Sequence, residues 1–86
     1  MPYVYVLRSL AAGQRYVGST DQTPRERLSE HHRGMAEWTK RHRPFELIYS
    51  EEFADIVLAR KREMFFKTGK GRLVLNSLIK DRVEKD

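Results

Sequence analysis

The chain has no cysteine in its 86 residues. That absence excludes disulfides, thiolate zinc sites and cysteine nucleophiles, leaves stability to packing and hydrogen bonding, and fits an intracellular, cytoplasmic location best. No apolar run approaches the ~20 residues that span a bilayer, so no membrane association is expected. Met1, Pro2 and Tyr3 offer no basic region ahead of an apolar stretch, as a secretory signal would. With only five glycines and three prolines there is no low-complexity tract, no linker and no internal repeat. A chain this short builds one modest core, so any site must be shallow or shared with its ligand. The expected organisation is one domain over residues 1–80 and a charged tail over 81–86.

Basic charge is what the chain does have. Seventeen Lys and Arg against twelve Asp and Glu give +5, which makes a polyanion the first partner to consider. Charge alone does not select nucleic acid, since many small basic domains bind nothing specific.

The local pattern alternates strands and helices. Tyr3 to Leu7 and Arg15 to Ser19 are short runs rich in Tyr and Val around Ala11, Ala12, Gly13 and Gln14, the signature of a β-hairpin. A loop centred on Ala12 and Gly13 sets Tyr5 opposite Thr20 and puts odd positions of the first strand on one face with even positions of the second. Tyr3, Tyr5, Leu7, Tyr16 and Gly18 would then line one side. "TPRERLSEHHRG" carries strong helix punctuation: Thr23 at the N-cap, Pro24 at the first helical position, Glu26 three after the cap and Gly34 as the stop. Arg27 and His31, four apart, share a face of that helix. "MAEWTKRHRP" reads as a basic loop containing Trp38. "FELIYSEEF" reads as a third strand. "ADIVLARKREMFFKTG" reads as a helix capped by Asp55 and closing near Gly69, with Ile56, Ala59, Glu63 and Phe66 on one side. "GRLVLNSLIKDRVEKD" reads as a last helix with a charged, fraying end. The expected fold is α/β in the α+β sense, a small three-stranded antiparallel sheet flanked by helices.

The order of these features resembles the GIY-YIG nuclease family. Tyr3-Val4-Tyr5 and Tyr16-Val17-Gly18 stand where the two halves of the family's name fall. "RLSEH", "TKRHRPFELIYSEEF" and the run "AxxxEMFFKTGKGR" beginning at Ala59 follow at matching places. The likeness covers nearly the whole chain and is closest to small stand-alone members. Tyr3 replaces the first Gly, Val17 replaces the Ile of the second triplet, and His32 stands where many relatives have Asn. Asn76 falls in the region of a late asparagine used by larger members.

The resemblance implies a metal-dependent DNA endonuclease that hydrolyses phosphodiester bonds, in DNA repair or recombination. Such chemistry needs a deprotonated water, positive charge on the non-bridging oxygens and help for the departing 3′ oxygen. By resemblance, Tyr16 is the general base or its hydrogen-bonding partner, and Tyr5 positions the water or phosphate. A phenol titrating near 10 is a poor base at neutral pH, so the role asks for neighbouring cations. Arg27 would hold the scissile phosphate with its forked guanidinium, and His31 would share the proton work or contact phosphate. Glu63 would be the single protein ligand of a Mg²⁺ or Mn²⁺ ion, which keeps most of its waters. On spacing alone, an ion pair from Glu63 to Arg60 or Lys67 is the commoner arrangement. Lys40, Arg41 and Arg43 suit backbone contacts, with Trp38 available to stack on an unpaired base. Lys67, Lys70 and Arg72 form a second phosphate surface. Nucleic acid, and DNA before RNA, is the expected partner, and a homodimer or a partner protein is expected to supply target choice in a chain with no room for a targeting domain. The alternative is a nucleic-acid-binding module of the same fold that cleaves poorly.

Overall fold

The computed structural model describes residues 1–34 and 37–85, with the side chains of residues 37, 38 and 83–85 outside that description. The elements run β1 (Tyr3–Ser9), β2 (Arg15–Thr20), α1 (Pro24–His32), α2 (Glu37–His42), β3 (Phe45–Glu52), α3 (Ile56–Phe66) and α4 (Gly69–Lys85). The sheet is antiparallel in the order β2-β1-β3, so β1 is central and β2 keeps one open edge. The architecture is the expected α+β one.

The hairpin differs from the expected register. Tyr5 faces Gly18 and Tyr3 faces Thr20, two residues away from the pairing read from the sequence. Closure falls earlier because Ser9 N–H donates to the Gln14 carbonyl at 2.8 Å and Gly13 N–H to the Ser9 carbonyl at 2.8 Å. Gly13 supplies the turn with φ +77°, a conformation open to glycine at no steric cost. A slip of two residues preserves strand parity. Tyr5, Leu7, Tyr16 and Gly18 therefore still share a face.

Each sheet face carries its own core. On one side Tyr5, Leu7 and Phe45 are buried with Tyr16, Leu28 and Leu47 against them, covered by α1. On the other, Val4 and Val6 pack with Ala59 and Phe66 of α3 and Leu75 and Ile79 of α4. The pairing of β1 with β3 shifts between Val6 and Leu7. This bulge lets Ile48 and Tyr49, adjacent in sequence, both pack on the α3/α4 side, which a regular strand forbids.

The helix ends match their sequence signals. Thr23 caps α1 by accepting from Glu26 N–H, and Arg33 closes it ahead of Gly34 at φ +78°. Asp55 caps α3 by accepting from Leu58 N–H. The basic segment read as a loop is instead a helical turn and a half, Glu37–His42. It is held there by Thr39, whose side chain is fully buried, and by the Ser9 hydroxyl donating to the His42 carbonyl at 2.5 Å. Propensity in the segment is weak and those tertiary bonds decide it. The side chain of Trp38 and its expected stacking role lie outside the described residues. α4 continues to Lys85, across the boundary expected at residue 80. Among the described residues no helix is long and apolar enough to cross a membrane.

Candidate nucleic-acid cleavage site

Gly18 is the hinge of the site. A Cβ built there would lie 2.5 Å from the Tyr5 hydroxyl oxygen, so the absence of a side chain on β2 is what admits the Tyr5 phenol beside it. Tyr5 is fully buried. Its hydroxyl lies 2.9 Å from His31 Nε2 and accepts a long contact of 3.4 Å from Arg27 Nε. His31 is itself 1% exposed, and its Nδ1 lies 2.9 Å from the Thr39 hydroxyl. Tyr16 completes the cluster, with its ring centroid 4.8 Å from that of His31 and 6.2 Å from that of Tyr5. Four of the five residues singled out for catalysis thus meet on the α1 face of the sheet.

Their electrostatics differ from a set of free acids and bases. Burial pushes the Tyr5 phenol up to about 12, against the opposing pull of the Arg27 hydrogen bond. Burial, aided by the Arg27 charge, pushes His31 down to about 4. Both groups are therefore neutral at physiological pH. With both nitrogens occupied inside the protein, His31 does not reach solvent or a phosphate. Direct phosphate contact by His31, one of the roles considered for it, has no support in this geometry. What it does is hold Tyr5. Arg27 is half-buried and ion-paired with Glu30 one turn along.

Glu63 approaches from the other face. It lies on α3, and its carboxylate accepts from the Ser19 hydroxyl at 2.6 Å and from Lys67 Nζ at 2.6 Å. Ser19 points to the side of β2 opposite Tyr16 and Gly18. Glu63 and the tyrosines can share a substrate only along the open edge of β2. Two clefts lie there. A 640 Å³ cleft is walled by Tyr16, Val17, Phe66 and Leu75, with Arg15, Lys67, Arg72 and Asn76 at its polar positions. A second of 300 Å³, polar, has Ser19, Arg27 and Arg60 among its lining residues. Glu63 bonds one residue of each, which puts it between them.

A scan of protein families matches the GIY-YIG catalytic domain over residues 1–76. The chain belongs to the GIY-YIG family. No match is found among curated proteins or among solved structures. The GIY-YIG domain is a nuclease-type fold, and the three-stranded sheet with its helices agrees with it.

Within that fold, both triplets of the name have structural reasons here. Tyr5 of the first fills the space that Gly18 of the second leaves empty. Asn76, which falls in the region of the late asparagine of larger members, has a definite place in the structure. It faces the same cleft as Tyr16 and its amide oxygen accepts from Arg15. Of the second basic group, Lys67 and Arg72 line the cleft with Tyr16, and Lys70 is exposed outside its lining. Lys40, Arg41 and Arg43 lie on or just after α2 with exposed side chains, although Arg43 also donates to the His32 carbonyl at 2.7 Å. Two polar residues were missed. Ser19 had a signal, because strand parity places it opposite Tyr16 and towards α3. Thr39 had none, since its segment lacks a helical pattern.

Among the described residues no group of three or more His, Asp or Glu could hold a metal. A magnesium-like ion does not need one, because it keeps waters and takes remaining ligands from substrate phosphate. Glu63 suits that use. One oxygen is oriented by a neutral donor, and the other is satisfied by a lysine whose side chain is 54% exposed, an exposed pairing worth about 0.5 kcal/mol or less and easily given up to another cation.

Proposed function

We propose that this GIY-YIG domain is a metal-dependent nucleic-acid endonuclease whose substrate backbone lies along the outer edge of β2. The observation that carries this reading is the meeting of Tyr5, Tyr16, Arg27 and His31 on one side of that edge with Glu63 reaching it from the other. Tyr16, on the wall of the larger cleft, takes the proton from the attacking water. Tyr5 stays a neutral phenol, fully buried with its hydroxyl on His31 and Arg27, and acts by holding the Arg27 side chain rather than by touching the water or the phosphate. Arg27, which lines the smaller cleft with Nε on Tyr5 and one terminal nitrogen on Glu30, balances charge on the phosphate. Lys67, Arg72 and Asn76 line the path of the flanking backbone. Glu63 would hold Mg²⁺ or Mn²⁺, which when bound lowers the pKa of a ligated water and stabilises the departing 3′ oxygen. Lys40 and Arg41 add a second, exposed basic surface for DNA, and a second copy or a partner protein supplies target choice.

A binding module is the rival, and the ion pairs Glu63–Lys67 and Arg27–Glu30 are what favour it, since both engage the proposed groups within the protein. The experiment is a cleavage assay on labelled duplex, flap and branched DNA, the forms met in repair and recombination, with Mg²⁺ or Mn²⁺. Wild type is compared with Glu63→Ala and Tyr16→Phe. Metal-dependent cutting, lost in both variants while binding persists, is the expected result. Tight binding by all three proteins without cutting would transfer the assignment to the binding module.

A further inference from the structure

The larger cleft at the outer edge of β2 is built differently from a groove that only holds phosphates. Its 640 Å³ falls within the ~300–1,000 Å³ of sites that enclose a small organic group. Phe66 and Leu75, each 2% exposed or less, close its floor, and the half-buried Tyr16 and Val17 form its wall on β2. Arg15, Lys67, Arg72 and Asn76 supply its polar positions. No carboxylate is among its lining residues. The smaller cleft, by contrast, includes Asp21 and has Ile56 as its one apolar lining residue.

Such a lining asks for a ligand with two kinds of surface. A phosphate is charged on every side, and taking it out of water against Phe66 and Leu75 costs free energy that no contact there repays. A nucleobase has apolar faces and a hydrogen-bonding rim, and it comes attached to a phosphate. Its faces suit the Tyr16 ring and the aliphatic side chains, since stacking on an aromatic residue tolerates any base. Its rim meets the Asn76 amide, whose oxygen already accepts from Arg15, so that the amide N–H groups are the end offered to the base. The attached phosphate has Arg15, Lys67 and Arg72 in the same lining. A base inside a duplex is covered on both faces and paired along its rim, so it enters only when unpaired.

We propose that this cleft binds one unpaired nucleobase of a nucleic-acid strand, with Tyr16, Val17, Phe66 and Leu75 around its faces and Arg15 and Arg72 on the adjoining phosphates. The consequence for cleavage rests on the function proposed above. Because Tyr16 belongs both to the cleft and to the cleavage site, the nucleotide held is next to the bond that is cut, and flapped DNA is cut faster than continuous duplex.

The test measures affinity by fluorescence anisotropy with the full chain and no metal, so that nothing is cut. A short labelled oligothymidylate is compared with an abasic strand of the same length and the same number of phosphates. Wild type is expected to bind the oligothymidylate about 10-fold more tightly. Tyr16→Phe, which keeps the ring, is expected to keep that preference. Tyr16→Leu, which removes the ring, and Asn76→Trp, which fills the cleft from an exposed position, are expected to lose it. Equal affinities in wild type, or no binding of either strand, overturn the proposal, because the backbone then accounts for whatever binding there is. So does a preference that survives Asn76→Trp and Tyr16→Leu, which would put the base elsewhere on the molecule. Thymidine monophosphate binding as tightly as the strand also overturns it, since the cleft would then serve a free nucleotide. Cleavage assays on the same proteins separate the two readings. Base preference without cutting keeps the cleft and removes the nuclease, and cutting without base preference does the reverse. Where wild type cuts, flapped DNA cut no faster than continuous duplex overturns the consequence for cleavage.

Discussion

Tyr5 and Gly18 are a matched pair, one supplying a phenol and the other the room for it. Gly18→Ala would set a Cβ 2.5 Å from the Tyr5 oxygen, and Tyr5 is fully buried with nowhere to withdraw. The expected cost is roughly 1–3 kcal/mol from overpacking, read as a lower Tm, and cleavage should fall with it because the displaced phenol leaves His31 and Arg27. His31 also makes the fold acid-sensitive. Its folded pKa is pushed from 6.5 down to about 4, so the unfolded chain binds the extra proton between those values. The stabilisation is complete above about pH 6.5, is lost progressively as pH falls, and is gone below about 4, up to about 3 kcal/mol in all. Urea unfolding across that range should reveal this slope in wild type and a shallower one in His31→Gln.

The corner between α3 and α4 depends on one glycine and not on its neighbour. At Gly71 a Cβ would fall 1.7 Å from the Phe65 carbonyl oxygen, a backbone atom that cannot step aside, whereas at Gly69 nothing lies within 4 Å. Gly71→Ala is therefore expected to cost roughly 3 kcal/mol or more. Gly69→Ala should be neutral or stabilising by up to about 1 kcal/mol. Thermal melts of the two variants side by side check this; equal Tm values would contradict the tight α3/α4 corner that brings Lys67 and Arg72 to one cleft. The helix ends were legible because caps are local: Thr23 and Asp55 each bond a backbone N–H three residues ahead. α2 was not legible because its stabilising bonds come from Ser9 and His31, far away in sequence.

Charge acts over the whole molecule. A net +5 makes nucleic-acid affinity fall steeply with added salt as condensed counterions are released. Arg72, in the wall of the larger cleft, should contribute one such contact. Arg72→Ala is expected to weaken binding about equally on all sequences and to reduce the slope of log affinity against log salt by about 1. Fluorescence anisotropy at several salt concentrations measures it; an unchanged slope would place the backbone elsewhere, with the α2 surface of Lys40 and Arg41 as the next to vary.

Alternation, capping and turn chemistry are short-range, and for that reason the sequence alone determined the three strands, the helices α1, α3 and α4 and the shared face of Tyr5, Tyr16 and Gly18. Parity survived even where the hairpin register was displaced, because a shift by two leaves the faces unchanged. The resemblance in residue order pointed to the family. Only the tertiary structure decided how the five proposed catalytic residues divide between the two sheet faces, that His31 is neutral and spent on Tyr5 and Thr39, and that Glu63 stands between two clefts. Those facts depend on burial and on contacts between residues far apart in the chain, such as Ser19 with Glu63 and Arg15 with Asn76. No local pattern encodes them, because the free energy of each is set by what the rest of the fold brings against it.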